Sequence, residues 1–360
     1  MIADDLTGAC DCAVAFTGAG QVIRIYLDDA PEALSGVFAV STESRDLEPW
    51  EQAARLHRFA KRMPHGAEIF KKVDSVFRGN TFAEIAASMA AFPARLTVLA
   101  PAHPVHGRRV RNGMLHVEGA DWHEPLDLMA GLRAAGCEPL LVDAENASSG
   151  LRTAPRGALL LCDAWTSGDL ETIVRSVAER GERVLWIGSG GLAHALAGNR
   201  QNAARCRNES WPTGRVVFVV GSAHTITREQ IYYLQQAAAV AMVGCDEAAP
   251  RSSFVLKAPR GTSEEVVRAM LMALDLSETA CLFLTGGDTA MLVCRALGIR
   301  SLRVMWEFAP GVPVCVAEGG PFAGMRIVTK SGGFGARDLL YRIFEAFSQP
   351  AIRASRKRDL

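Results

Sequence analysis

Short runs of β-branched and leucine-rich residues alternate along the chain with longer alanine-rich stretches of helical spacing. The first half predicts strands at 22–27, 36–41, 68–73, 96–100, 140–143, 158–162 and 183–187. Helices are expected between them at 49–62, 81–92, 125–135, 168–180 and 191–197. Strand followed by helix, repeated, predicts βαβ units and a mainly parallel sheet. Several strand runs are apolar throughout, as when helices cover both faces. Segment 199–214 breaks the rhythm with Asn208, Glu209, Pro212 and Gly214, and reads as a linker. A second series follows, with strands at 216–220, 254–257, 280–284, 302–307 and 326–329 and helices at 228–239, 263–274, 289–297 and 336–348. The expected fold is α/β with two domains, each a mainly parallel sheet flanked by helices, and the active site in the cleft between them. The expected boundaries are 1–205 for the first domain, 206–214 for the linker, 215–348 for the second domain and 349–360 for a flexible basic tail.

Length agrees with two domains, since 360 residues exceed one ordinary compact unit. With 49% hydrophobic and 22% charged residues, a mostly disordered chain is excluded. Lys plus Arg and Asp plus Glu both total 39, so no global charge attracts nucleic acid or an anionic membrane, and neither is expected as a partner. Any anion site must be built locally. No run of about 18 apolar residues offers a membrane span, and MIADDLTGA lacks a basic leader region. Only Met1 and Ile2 stand before ADDLTG, so the first strand reads as clipped, with a start further upstream or an edge supplied differently as the two expectations. Nine cysteines are scattered, with Cys10 and Cys12 spaced C-x-C, which reads as reduced structural thiols in a cytoplasmic protein.

Ligands of open α/β sheets bind outside the carboxyl ends of the strands. Three glycine-rich turns stand there: Gly188 to Gly191, then Gly286, Gly287, Asp288 and Thr289, then Lys330 to Gly335 with Gly332 and Gly333. Glycines let backbone N–H groups approach a phosphate, and a following helix N-terminus favours negative charge. None matches a Walker A or G-x-G-x-x-G pattern, and each alone would pass as a plain connection. Two such turns in the second domain point to a nucleotide site. Lys330 adds a cation there, and Asp288 a carboxylate for a magnesium ion or a ribose hydroxyl. Gly221 and Ser222 form a similar short turn.

Three polar segments of the first half complete the picture. Asp4 and Asp5 follow the first strand, where they suit a polar ligand or metal, or an N-cap. KKVDSVFRGN places Lys71, Lys72, Asp74, Ser75, Arg78 and Asn80 together, with Arg78 able to grip a carboxylate bidentately; a solvated loop of internal ion pairs is the alternative. Residues 101–119 read as a long loop carrying His103, His106, Arg108, Arg109, Arg111 and Asn112, without the Cys or carboxylate that would complete a zinc site. Acids on one side and cations on the other suit a small hydroxylated carboxylate.

IADDLTGA, KKVDSVFRGN, PAHPVHGR with NGMLHVEG, GSGGLA, LTGGDTA and TKSGGFG occur in an order that resembles the four-carbon acid sugar kinase family, from residue 2 to about 345. That family includes D-threonate, D-erythronate and 3-oxo-tetronate kinases. The resemblance implies ATP-dependent phosphorylation of the terminal 4-hydroxyl of a four-carbon sugar acid, with Mg2+ bridging the phosphates. It implies acid binding by the first domain through Asp4, Asp5, Lys72, Asp74, Arg78 and Arg108. Nucleotide binding would fall to Ser222, Gly286, Gly287, Asp288, Thr289 and Gly333 of the second. Asp4 or Asp5 becomes the candidate base, Arg78 the carboxylate clamp, and Lys330 or the turn at Gly332 and Gly333 the support of the moving phosphate. A homodimer is compatible with the family. The chain departs from the family's G-S-C-S turn, with Ala223 and His224 in GSAH, and is shorter than usual between Gln230 and Cys281. A family member that binds without turnover is therefore the competing reading. A nucleotide-dependent oxidoreductase would need a dinucleotide fingerprint, which is missing.

Overall fold

The computed structural model describes residues 1–19, 22–27, 36–64, 66–119, 124–143, 147–198, 213–244, 247–258, 261–272 and 278–348. Most of the expected linker and the whole basic tail lie outside these residues. The first half contains β1 (Ile2–Ala3), α1 (Leu6–Val14), β2 (Ile23–Tyr26), β3 (Phe38–Ser41), α2 (Pro49–Arg62), β4 (Ile69–Lys72), α3 (Thr81–Ala91) and β5 (Leu96–Ala100). It continues with β6 (Arg108–Arg111), β7 (Met114–Val117), β8 (Leu126–Asp127), α4 (Leu128–Ala134), β9 (Pro139–Val142), α5 (Ala147–Thr153), β10 (Leu159–Cys162), α6 (Ser167–Ala178), β11 (Val184–Gly188) and α7 (Gly190–Ala197). The second half holds β12 (Arg215–Val220), α8 (Thr225–Ala238), β13 (Ala241–Val243), β14 (Phe254–Lys257), α9 (Glu264–Met272), β15 (Thr279–Thr285) and α10 (Gly287–Ala296). It closes with β16 (Ser301–Ala309), β17 (Val312–Glu318), β18 (Arg326–Lys330) and α11 (Leu339–Ser348).

Local chemistry accounts for several boundaries. Pro49 opens α2 where a missing N–H costs nothing, and Lys61 and Arg62 sit at its negative end. Thr166 and Asp169 form a reciprocal capping box on α6. β15 is buried at all seven positions, as its apolar run requires. One expectation needs correction, and one long strand was not expected. The stretch after Pro101 is not simply a loop, because Asn112 and Gly113 both take positive φ and turn β6 back onto β7 as a hairpin. β17 is a full strand despite Pro313, paired on both sides by antiparallel neighbours.

The fold is α/β, and its two parallel sets of strands are joined into one sheet of fifteen, ordered β13-β14-β12-β15-β18-β17-β16-β2-β3-β1-β4-β11-β5-β10-β9. β18–β17, β17–β16 and β16–β2 are antiparallel, so direction reverses three times between the two parallel sets. Their carboxyl edges would thus point opposite ways in a flat sheet. Six pairings separate β15 from β1; at about 20–25° per pairing, twist accumulates to roughly 120–150° and undoes most of the reversal. Bulges between Val304 and Trp306, and between Glu307 and Ala309, add to the turn.

One apolar cluster fills the first half around Leu56, Val98, Leu160 and Ile187. Another covers one face of the second half around Phe218, Phe283 and Ile343. The third belongs to both, with Leu6, Ala9 and Ala13 of α1 packed among residues such as Leu284, Val293 and Ile327. All nine residues of α1 are buried. Among the described residues no helix is long and apolar enough to cross a membrane.

Candidate functional site

Register levels the ends of the first-half strands: Ala3 lies beside Ser41 and Lys72, and Lys72 beside Gly188. The chain therefore leaves the sheet at Asp4, Thr42, Val73 and Ser189 along one edge. In the second half Val220, Thr285 and Lys330 are level, so the turns at Gly221, Gly286 and Ser331 emerge together. An open cleft of about 610 Å³, its solvent-filled mouth included, lies between the two edges. Its walls include Lys72, Asp74, Arg78 and Arg108 from one half and His224, Gly332, Gly333 and Phe334 from the other.

The first edge is a lattice of ions. Lys72 Nζ donates to Asp4 Oδ1 at 2.7 Å and Asp5 Oδ1 at 3.1 Å. Arg45 spans Asp4 (2.7 Å), Asp5 (2.9 Å) and Asp74 (3.4 Å). Arg78 closes the lattice with a bidentate grip on Asp74, its Nη2 at 2.6 Å from Oδ2, while its side chain remains 57% exposed. Asp5 also caps α1, accepting from Gly8 N–H at 2.8 Å and from the Thr7 hydroxyl at 2.9 Å. Burial pushes the Asp5 carboxyl up, but Arg45 and Lys72 outweigh it and hold it well below the usual carboxylate range. Asp74 is held low in the same way by Arg45 and Arg78. Burial lowers Lys72, but Asp4 and Asp5 more than reverse that and raise it. Arg108 is different: it is buried, pairs with no carboxylate among the described residues, and its Nε lacks a hydrogen-bond partner.

The second edge is built from glycine and one lysine. Lys330 is fully buried and donates to Thr227 Oγ1 at 3.2 Å and to the carbonyls of Ser331 (3.1 Å) and Gly332 (2.8 Å). No carboxylate pairs with it among the described residues, and burial lowers its pKa to about 7. Ser222 Oγ accepts from His224 N–H at 3.3 Å, and a methyl group at Gly332 would collide with that oxygen. Gly286 takes φ +102 before α10, which a side chain would strain. Thr289 lies buried against Gly221, while Asp288 is exposed at the start of α10. His224, where the family turn has a second serine, caps α8: its Nδ1 accepts from Ile226 N–H at 3.2 Å. The departure at this turn thus keeps a capping acceptor in place.

The two edges touch. A methyl carbon at Gly287 would stand 3.0 Å from Asp5 Cβ and Cγ. Across the cleft His106 stacks on Phe334 at 3.6 Å between ring centres, and the Arg108 guanidinium lies over the same ring. Lys72, Asp74, Arg78, Arg108, Gly332 and Gly333 therefore share one cleft. Asp4 and Asp5 stand behind Lys72, and of the turn at Gly286 to Thr289 it is Gly287 that meets Asp5; neither the two aspartates nor this turn lines the cleft itself. Sequence reasoning passed over Arg45, Asp11 and Phe334. For Arg45 the signal was its place just past β3 at the carboxyl edge.

The chain matches two domain models, a sugar-binding N-terminal domain over residues 1–128 and a nucleotide-binding C-terminal domain over 252–340. It is 32% identical to a D-threonate kinase of Bordetella bronchiseptica, with 97% of each chain covered. The chain belongs to the four-carbon acid sugar kinase family. Another relative of that family is a D-threonate kinase of Cupriavidus necator, 29% identical over 97% of this chain and 98% of its own. More distant four-carbon acid sugar kinases at 24–27% identity are named 3-oxo-tetronate kinase and D-erythronate kinase. A solved structure from Salmonella typhimurium LT2 shares the fold, with a TM-score of 0.73 at 21% identity over 96% of this chain and 98% of that one.

Proposed function

We propose that this protein transfers the γ-phosphoryl group of ATP to the terminal 4-hydroxyl of a four-carbon sugar acid of the threonate, erythronate or 3-oxo-tetronate type. The observation that carries the reading is the cleft itself, with a lattice of cations and carboxylates on one wall and the glycine turns around buried Lys330 on the other. Arg78 and the unpaired Arg108 would take the acid's carboxylate, and Lys72 and Asp74 its hydroxyls. Asp4 and Asp5 would serve by holding Lys72 and Arg45 at fixed positions. The turns at Ser222, Gly286 to Thr289 and Gly332 to Gly333 would receive the nucleotide, with Lys330 near its phosphates.

Magnesium fits this edge in its usual phosphate-bound manner. Among the described residues no group of three or more His, Cys, Asp or Glu side chains could hold a metal alone, and Asp288 is the exposed carboxylate at the nucleotide turn. When bound, the ion neutralises phosphate charge. The seven described cysteines are free thiols, which supports a cytoplasmic setting.

The test measures ADP release with ATP and magnesium against D- and L-threonate, D- and L-erythronate and the 3-oxo acids, with products identified by mass. One acid gaining a phosphate well above the others is expected. Silence across the panel from folded protein would overturn the reading.

A further inference from the structure

Phosphoryl transfer to an alcohol needs a group that can take the hydroxyl proton, and such a group works best when its pKa lies near the operating pH. The aspartates of the ion lattice are poorly suited. Asp5 is bonded to Arg45, Lys72, Gly8 and Thr7, and Asp74 to Arg45 and Arg78; both are held well below the usual carboxylate range. A carboxylate so stabilised has little affinity for a proton.

Asp11 stands in the opposite condition. It lies two turns into α1, three residues from Gly8, so both share one helix face, and both line the cleft. It is 4% exposed. It makes no hydrogen bond or ion pair with any described residue, and its buried Oδ1 has no partner. Buried polar atoms of this kind are rare in proteins, and each asks for a reason. The space beside it is kept free by glycine: a methyl carbon at Gly190 would stand 2.6 Å from both Asp11 Oδ2 and His103 Cε1.

We propose that Asp11 is the catalytic base of the kinase, taking the proton of the substrate hydroxyl as that oxygen attacks the phosphate. This inference rests on the kinase reading above. In the step the O–H bond breaks, its proton passes to Asp11, and the oxygen's electron pair forms the new bond to the γ-phosphorus of ATP. The bond from that phosphorus to the β–γ bridging oxygen breaks, its electrons leaving on ADP. The proton returns to solvent before the next turnover.

Electrostatics support the assignment. Burial, and next the charge of Glu307, raise the Asp11 carboxyl to about 7. The groups facing it are Asp5 and Cys12 on its own helix, Lys72 at the end of β4, Glu307 on β16, and His103 across Gly190. His194 of α7 stands 3.8 Å from Glu307 and belongs to the same surroundings.

The experiment compares wild type, Asp11→Asn and Asp11→Glu with ATP and the acid found by the panel. Asp11→Asn should lower kcat by about 10²- to 10³-fold with little change in either KM. In wild type kcat should rise with pH through a midpoint near 7, the value of the raised carboxyl. That limb should vanish from the residual activity of Asp11→Asn and return, at a lower rate, in Asp11→Glu. A loss smaller than about tenfold, or the same limb persisting in Asp11→Asn, overturns the assignment. Should Asp11→Asn fail to fold, the wild-type profile and Asp11→Glu decide, and a flat wild-type profile overturns it. A wild type that phosphorylates no acid overturns the kinase reading and this assignment together, whereas brisk turnover with a flat profile overturns the assignment alone.

Discussion

The two walls of the cleft carry their charge in opposite ways. On the first-half edge, Asp4, Asp5 and Asp74 meet Lys72, Arg45 and Arg78, so the charges are balanced before any ligand arrives. Such a lattice fixes the positions of its cations and has little net field to spend. On the second-half edge, backbone turns and one buried lysine without a carboxylate leave the positive charge uncompensated. Under the proposed function the lattice would position the acid's hydroxyls, and the second wall would meet the phosphates. Arg108 beside the lattice, which pairs with no carboxylate among the described residues, would meet the acid's carboxylate.

The contrast can be broken most forcefully from the ion lattice. Lys72→Met should leave Asp4 and Asp5 buried beside Arg45 alone, costing about 3–5 kcal/mol in urea unfolding at neutral pH. The same lattice sets an acid limit. Because Asp5 and Asp74 have folded pKa values below their ordinary ones, their contribution is full above the ordinary value near 4 and is lost as pH falls toward the folded values. Lys72→Met should flatten that acid limb; an unchanged urea midpoint would show that the lattice carries no stability.

A smaller effect is expected where the walls meet. Gly287→Ala keeps ordinary helix backbone but presses a methyl group on Asp5. It should lower kcat/KM for both substrates by roughly 10- to 100-fold, about 1.4–2.8 kcal/mol. Loss for ATP alone would mean that Asp5 and the turn work independently. The smallest effect concerns protons. With Lys330 lowered to about 7 from 10.5, it is mostly neutral at pH 8, and phosphates beside it should restore its charge. Calorimetry of ATP binding at pH 8 in buffers of different ionisation enthalpy should show uptake approaching one proton, abolished in Lys330→Met.

Much of this was legible along the chain. The runs at 96–100 and 254–257 and the helix at 49–62 appear with the expected bounds, because continuous apolar runs and a proline-opened amphipathic stretch report local preference directly. The hairpin of β6 and β7 carried its signal too, in Asn112-Gly113, but the surrounding arginines and histidines drew attention to chemistry instead of the turn. β17 was hidden by Pro313, a residue that ordinarily argues against an internal strand. The ion lattice shows the limit of reading by segments. Lys72, Asp74 and Arg78 were recognisable within one loop, whereas Arg45 joins them only because β3 lies beside β1. Asp11 looked like one more helical residue of α1, and only its burial without a partner distinguishes it. The joining of both sets of strands into one sheet depends on β16 meeting β2, a pairing across nearly the whole sequence.

That first helix also has a consequence in time. Residues 6–14 leave the ribosome long before Leu284, Val293 and Ile327, against which they complete their packing. Until then α1 must wait, with Leu6, Ala9 and Cys10 short of part of their packing. The aspartates at its head would therefore be set only after those residues have been made, so that a chain cut short near residue 200 would lack a finished first-half edge.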